Sequence, residues 1–499
     1  MVRSTKQRPA RLGADDRSFL RMVGEIGFMN PFERKRGELI RKLVPGPTIG
    51  RFSSEWRATA GVVDARMRRI DPGGRLRIDD FAAPDRPYVE TTFLFMAYHR
   101  FVDEFDRLIE RQSGATAPLA VPFAQDLIGD LTRRGMPEHV ALRYLAFFYQ
   151  LRRAFYFIVH GLTGNCPSMQ AFRRALWEST FTHDLRNYND RLWDRMEDFS
   201  TLILGETGTG KGSAAAAIGR SAFVPFDADK GRFAASFTET FIALNLSQFP
   251  ETLIESELFG HRKGAFTGAI EHHEGVLGRT SRHGALFLDE IGEVSVPVQI
   301  KLLQVLQERN FVPLGSHDMV RFKGRVIAAT SRTLAELRRD RMRDDLFYRL
   351  CSDVIEVPPL RQRIAETPDE LEQLVALLVT RMTGEQSDAL TGRALDALHT
   401  ALPAGYAWPG NVRELEQAVR RILLTGEFVP NTRSEHSSSA AAVAQAIDDG
   451  RVTADELVAR YCQALYARSG NFSEVAARTG LDRRTVKKHV QRSTEAAIG

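Results

Sequence analysis

"TLILGETGTGKG", residues 201 to 212, constrains this chain more than any other stretch. An apolar run ends in a glycine-rich loop and a lysine, with small helix-compatible residues behind it. That order predicts a buried strand, a loop whose backbone N–H groups surround phosphate oxygens, and a helix that starts at the lysine. Gly205, Glu206, Thr207, Gly208, Thr209, Gly210, Lys211 and Gly212 are therefore candidate phosphate-binding positions, with Lys211 neutralising the terminal oxygens. The pattern departs only at Gly212, which stands where a Ser or Thr usually holds magnesium.

A second element completes such a site. In "ALFLDEI" (285 to 291) the carboxylates of Asp289 and Glu290 end an apolar strand, at the edge where α/β proteins bind ligands. Asp289 is the candidate metal ligand, directly or through water, and Glu290 the candidate group that orients an attacking water. Hydrolysis of a phosphoanhydride also calls for positive charge on the transition state, and Arg343 and Arg349 in "RDDLFYRL" are candidates to supply it across a subunit boundary. "WPGNVREL" (408 to 415) starts a helix that places Arg413 within reach of a nucleotide.

The wider texture gives an organisation. Residues 1 to 160 read as mainly helical, as in "TTFLFMAYHRFVDEFDRLIERQ" (91 to 112), and their role is not legible. There His99 and Asp103 lie one helical turn apart and are expected on a solvated helix face. From 161 to 362 short apolar runs alternate with helical patterns, the mark of an α/β region, and "RVIAATSR" (325 to 332) is a third strand. From 363 to 430 the pattern is helical, as a lid would be; 431 to 452, rich in Ser and Ala, reads as a linker. The apolar stretch 144 to 162 carries Arg152 and Arg153 at its middle, which predicts a buried or interfacial helix and no membrane span.

The formal net charge of +5 is unevenly placed: from Arg451 to Gly499 there are nine Lys and Arg against five Asp and Glu. "SGNFSEVAARTGLDRRTVKKHV" (469 to 490) reads as helix, glycine turn, helix, with Val475 and Ala476 facing Leu481 and Val486. Arg483, Arg484, Thr485, Lys487 and Lys488, with His489 beside them, crowd the second helix, where a polyanion such as double-stranded DNA would be read. The helix over 453 to 469 is the expected place for dimer contacts. Three cysteines without a CxxC pair, and a basic start with no apolar stretch behind it, suit a reducing cytoplasm and no secretory signal.

One loop remains. In "ESELFGHRKGAFTGA" (255 to 269) a lone phenylalanine, Phe266, stands between Gly264 and Gly268, a segment that neither a helix nor a strand favours. With the phosphate loop and the "LDE" strand, this hexapeptide resembles the AAA+ ATPase domain of the sigma-54-dependent transcription activators, the bacterial enhancer-binding proteins, over roughly 270 residues. The C-terminal segment resembles the Fis-type helix-turn-helix that ends many of them. The resemblance implies an AAA+ α/β core with a helical lid, a mainly helical N-terminal region and a small all-helical C-terminal domain.

By the same resemblance, ATP and magnesium are the cofactors, and Gly264, Ala265, Phe266, Thr267, Gly268 and Ala269 touch the sigma-54 subunit of RNA polymerase. Asn245 pairs with the catalytic glutamate, Arg343 and Arg349 act as trans fingers, and Arg413 senses nucleotide from the lid. The protein would assemble from dimers to a hexameric ring and use ATP hydrolysis to remodel the polymerase complex at promoters. Ser331 stands in place of the family's usual asparagine, and the polar stretch 178 to 200 is longer than typical. Both suit a second reading, a DNA-binding repressor or co-regulator whose ATPase core serves only for oligomerisation.

Overall fold

The computed structural model describes residues 10–44, 52–403, 405–429 and 453–495. Its contacts divide into two compact units, Met1–Gly426 and Glu427–Gly499. The stretch read as a linker, 431–452, lies outside the described residues.

The first unit is organised by a parallel sheet of β1 (Thr201–Leu204), β2 (Phe241–Asn245), β3 (Ala285–Asp289), β4 (Arg325–Thr330) and β5 (Asp353–Glu356), in the order β2-β3-β4-β1-β5. β1 and β4 are buried along their whole length, which is why each reads as an unbroken apolar run. The edge strands β2 and β5 are each buried at a single position, and β5 has only two apolar residues between carboxylates, so their pattern is weaker. Because every pairing is parallel, all five strands end on one edge, and Asn245 stands in register beside Asp289 there.

Helices cover both faces. In chain order they are α1 (Ala14–Gly27), α2 (Arg34–Leu43), α3 (Phe52–Ile70), α4 (Arg86–Arg100), α5 (Val102–Ser113), α6 (Ala124–Arg133), α7 (Glu138–Gly161) and α8 (Pro167–Phe181), all ahead of β1. The helix α9 (Lys211–Gly219) follows β1, α10 (Glu251–Phe259) follows β2, and α11 (Val296–Glu308) follows β3. After β4 comes α12 (Asp344–Leu350), and after β5 come α13 (Leu360–Glu366), α14 (Glu370–Thr383), α15 (Asp388–Ala401) and α16 (Asn411–Thr425).

One apolar cluster runs without a break from Leu94 and Phe105 through Phe147 and Phe181 to Ile203, Phe287 and Val357. Helices α4 to α7 thus share a core with one face of the sheet, while α1, α2 and α3 pack with α4 in a cluster of their own. A second cluster, including Leu258, Leu302 and Phe347, covers the other face. Removing such apolar surface from water, at roughly 25 cal/mol per Å², is what holds the layers together.

The two arginines at the middle of α7 show how a charged pair is accommodated in a buried helix. Arg152 makes a bidentate pair with Asp106 of α5, at 2.5 and 2.6 Å. Arg153 is almost fully buried and donates to the carbonyl oxygens of Arg220 and Ala222, at 2.8 and 2.6 Å, just past the C-terminus of α9. A cation suits that end of a helix dipole. The polar stretch 178–200 is packed rather than looped out: Leu185, Tyr188 and Asn189 are buried, and the Tyr188 hydroxyl accepts from Gln150 Nε2 at 2.7 Å. The reading of His99 as part of a solvated face is corrected as well. Its ring lies against Phe95 and Trp56, with centroids 4.2 and 5.6 Å away, because the α4 face that bears it turns inward.

The second unit is three helices, α17 (Ala454–Ser469), α18 (Phe472–Thr479) and α19 (Arg483–Glu495), around Cys462, Val475 and Val486. Gly480, at φ 70°, makes the turn between the last two, a backbone state that favours glycine. Among the described residues no helix is long and apolar enough to cross a membrane.

Candidate nucleotide site

The loop between β1 and α9 is shaped by its glycines. Gly208 has φ 81°, and a Cβ there would sit 2.2 Å from the Gly410 carbonyl oxygen, so only glycine fits. Lys211 opens α9 and folds over the loop, donating to the carbonyl oxygens of Gly205 at 2.8 Å and Glu206 at 3.3 Å. Burial lowers its pKa from the usual lysine value, opposed by Glu290 and Asp289. Phosphate oxygens entering the loop would take over the ammonium from neutral carbonyls, a gain in charge-assisted bonding.

Asp289 and Glu290 meet Lys211 at the strand edge, with Glu290 Oε1 3.9 Å from Lys211 Nζ. Desolvation, then the neighbouring Glu290, raises the Asp289 pKa above the usual carboxylate value, and Lys211 counters. Glu290 itself is left-handed at φ 55°, an uncommon conformation for a residue without an amide or short polar side chain. Its Oε2 accepts from both the backbone N–H and the hydroxyl of Ser331, each at 3.1 Å.

Asn245 does not hold Glu290 in this arrangement. Its Oδ1 accepts from Ser247 N and Ser247 Oγ, at 3.0 and 2.8 Å, and caps the turn that follows β2. The glutamate's partner is Ser331, because the end of β4 brings its hydroxyl and N–H to the carboxylate.

The helices after β5 close the site, and three of their residues escaped the sequence reading. Arg361 pairs with Glu206 through both carboxylate oxygens, at 2.7 and 2.6 Å, and this holds the Glu206 pKa down. Asn411, fully buried and left-handed at φ 51°, donates to Glu206 Oε2 and the Thr207 carbonyl and accepts from Leu360 N. Arg363 pairs with the fully buried Glu370, which also accepts from Asn165 N at 3.1 Å. The asparagine in "PGN" was the one available signal, since Asn tolerates φ above zero after a turn.

Arg413 Cβ would stand 2.9 Å from a Cβ on Gly208, and its backbone N–H donates to the Gly208 carbonyl at 3.3 Å. The resulting cavity, about 570 Å³, is lined by Lys211, Asn245, Asp289, Glu290 and Arg413 and also by apolar residues such as Leu162, Phe172 and Leu378. Charged groups for phosphates and apolar ones for a base fit a nucleotide. Arg343 and Arg349 do not line it. Arg343 forks onto Asp345, at 3.1 and 2.8 Å, and Arg349 donates to the Leu306 carbonyl at 3.1 and 2.9 Å.

Residues 264–269 form a tight turn on the connection between β2 and β3. Gly264 N donates to the Ala269 carbonyl at 2.8 Å, and Gly264 and Gly268 have φ of 81° and 101° with open space around their Cα atoms. Phe266 is 39% exposed, its ring edge-on to His261 at 4.9 Å. The base of the turn is fixed by backbone bonds between His261 and His273. In the second unit Arg483, Arg484, Lys487 and Lys488 are exposed on α19, while Asp482 caps its first turn through Arg484 N and Thr485 N. His489 is buried against α17, which removes it from that basic face.

A parallel α/β core with a glycine loop, a lysine and an acidic strand end defines a phosphate-loop nucleotide-binding protein. The sigma-54 interaction domain matches residues 181–356. The Nif-specific regulatory protein of Azotobacter vinelandii is 42% identical over 280 residues, 54% of this chain and 46% of that one. ZraR of Klebsiella oxytoca, a transcriptional regulatory protein, is 37% identical over 339 residues, covering 66% of this chain and 69% of its own. The C4-dicarboxylate transport regulator DctD of Rhizobium meliloti is 32% identical over 465 residues, 90% and 89% of the two chains. The crystal structure of NtrX from Brucella abortus superposes with a TM-score of 0.39 at 20% identity, over 74% of this chain and 79% of that one. The chain belongs to the family of sigma-54-dependent enhancer-binding regulators. It spans about half the length of the Azotobacter relative.

Proposed function

We propose that the protein is an ATP-hydrolysing transcriptional activator that binds DNA through α19, assembles into a ring and remodels sigma-54 RNA polymerase with the 264–269 turn. The observation that carries this reading is the placement of that turn on the β2–β3 connection, which leaves β2 at Asn245, a residue that lines the nucleotide cavity with Asp289 beside it. A change at the strand edge therefore has a direct covalent route to Phe266.

Lys211 would bind the β- and γ-phosphates, and Glu290 would take the proton-side contact with the attacking water once it leaves Ser331. Magnesium fits the donor set: one carboxylate, Asp289, raised by desolvation and relieved by a cation, with phosphates and water filling the remaining positions. When bound it neutralises developing charge on the phosphates. Arg343 and Arg349, absent from their own chain's cavity, are the groups a neighbouring subunit would receive, and Arg413 would contact nucleotide from the lid. The second unit would dimerise through α17 and present Arg483, Arg484, Thr485, Lys487 and Lys488 to the major groove.

Two substitutions test separate halves of this reading. Glu290→Gln should retain ATP binding and lose turnover by about 10²-fold or more. Thr267→Ala should hydrolyse ATP normally and fail to open a sigma-54 promoter in a purified transcription assay. Unchanged hydrolysis in the first, or normal promoter opening in the second, overturns the corresponding role.

A further inference from the structure

A second cavity, of about 100 Å³, lies among the helices ahead of the sheet and is bounded by α1, α2, α3, α4, α7 and α8. About half of its lining residues are aromatic, among them Trp56, Phe95, Phe148, Phe155 and Trp177, and most of the others are aliphatic. The volume is below the about 150 Å³ of an engineered apolar cavity that takes benzene, so the space admits no more than one small ring.

The polar groups in this wall are unbalanced. Among the described residues, two guanidinium groups line the cavity and no acidic residue does. Arg152 is already neutralised by its bidentate pair with Asp106. Arg36 makes no ion pair among the described residues, and desolvation holds its pKa below the usual arginine range against weaker attraction from Tyr98 and Glu55. Beside it, the buried Nδ1 of His99 has no hydrogen-bond partner. Burial and the nearby arginines push the His99 pKa down to about 3, so the ring is neutral. In its Nδ1–H tautomer it donates a hydrogen bond without adding charge.

A partly exposed cation without an ion-pair partner among the described residues, and a buried donor that is unused, both stand beside aromatic rings, and the unused donor costs folding free energy unless something completes it. We propose that this cavity is an effector site for a small single-ring carboxylate, whose ring packs among the aromatic side chains and whose carboxylate takes the Arg36 guanidinium and the His99 Nδ1–H. The site is wired to the nucleotide cavity by two helices. Trp177 of α8 lines the effector cavity, while Met169 and Phe172 of the same helix line the nucleotide cavity. Leu151 and Arg152 of α7 line the effector cavity, and the next residue, Arg153, grips the C-terminus of the phosphate-loop helix.

The test uses the full chain without nucleotide, so its outcome does not depend on the proposed ATPase cycle. Benzoate is titrated by calorimetry and by tryptophan fluorescence, with benzyl alcohol as the neutral counterpart. Benzoate is expected to saturate with a Kd of about 0.1–1 mM, and benzyl alcohol to bind about tenfold more weakly or worse. Arg36→Gln should lower benzoate affinity by about tenfold or more, while the ligand-free variant melts close to the parent, since Arg36 is partly exposed and makes no ion pair among the described residues. No saturation by about 10 mM benzoate, equal affinity for the alcohol, or unchanged benzoate affinity in Arg36→Gln overturns the proposal. Should that variant fail to fold, the comparison of benzoate with benzyl alcohol on the parent chain still decides.

Discussion

At the scale of single residues, the site is a balance among three charges. Asp289 and Glu290 stand side by side with one lysine between them and the loop, and burial adds to their mutual repulsion. A carboxylate whose pKa rises on folding binds protons more tightly in the folded state, so ionised Asp289 destabilises the nucleotide-free fold, and that penalty fades as pH falls. Asp289→Asn is therefore expected to raise the melting temperature of the nucleotide-free chain at neutral pH by about 2 °C while abolishing magnesium-dependent nucleotide binding. In the parent chain that binding should weaken on acidification at a pH above the ordinary carboxylate value of 3.8, through the raised Asp289 pKa. Differential scanning fluorimetry and titration calorimetry across pH check both. Ser331 belongs to the same balance: by donating twice to Glu290 it parks the carboxylate. Ser331→Ala, which removes one of the two bonds, should change kcat by severalfold with little change in nucleotide affinity, measured by steady-state hydrolysis.

At the scale of elements, α7 is the one whose role its composition concealed. Its apolar length and paired arginines predict a buried or interfacial helix, and each arginine proves to have a specific acceptor. Arg153→Met would keep the apolar packing against Tyr149 and strip the bonds from the Arg220 and Ala222 carbonyls. The loss is expected to be about 2 kcal/mol, appearing as faster hydrogen exchange in the last turn of α9. β2 and β5 illustrate the opposite difficulty. Both are short and partly exposed, so local pattern identifies them poorly, and only pairing with β3 and β1 makes them strands.

At the scale of the whole molecule, helices α4 to α7 are not an appendage to the first unit's sheet. The apolar cluster that includes Phe105, Phe147 and Phe148 continues into Ala214, Ile218 and Phe287. Cutting the chain at residue 161 would expose α8 and α9 surfaces that α7 now covers. A fragment 161–430 should accordingly aggregate or melt well below the full chain, whereas one that begins near residue 86 and so retains α4 to α7 should stay closer to it. Size-exclusion chromatography and thermal melting of the two fragments check this, and equal behaviour would mean that α7 contributes little to the core.

What the sequence determined by itself were the features written in contiguous residues. The phosphate loop, the acidic end of β3, the Gly-flanked Phe266 and the basic face of α19 each need only a few neighbouring positions, because backbone freedom and local charge define them. What the tertiary structure alone decided were the pairings between distant segments: Ser331 rather than Asn245 on Glu290, Asn411 and Arg361 on the phosphate loop, and the ring-lined cavity around Arg36 and His99. Those depend on which side chains burial leaves without water and which partners the topology then brings within reach, a competition that no local pattern encodes.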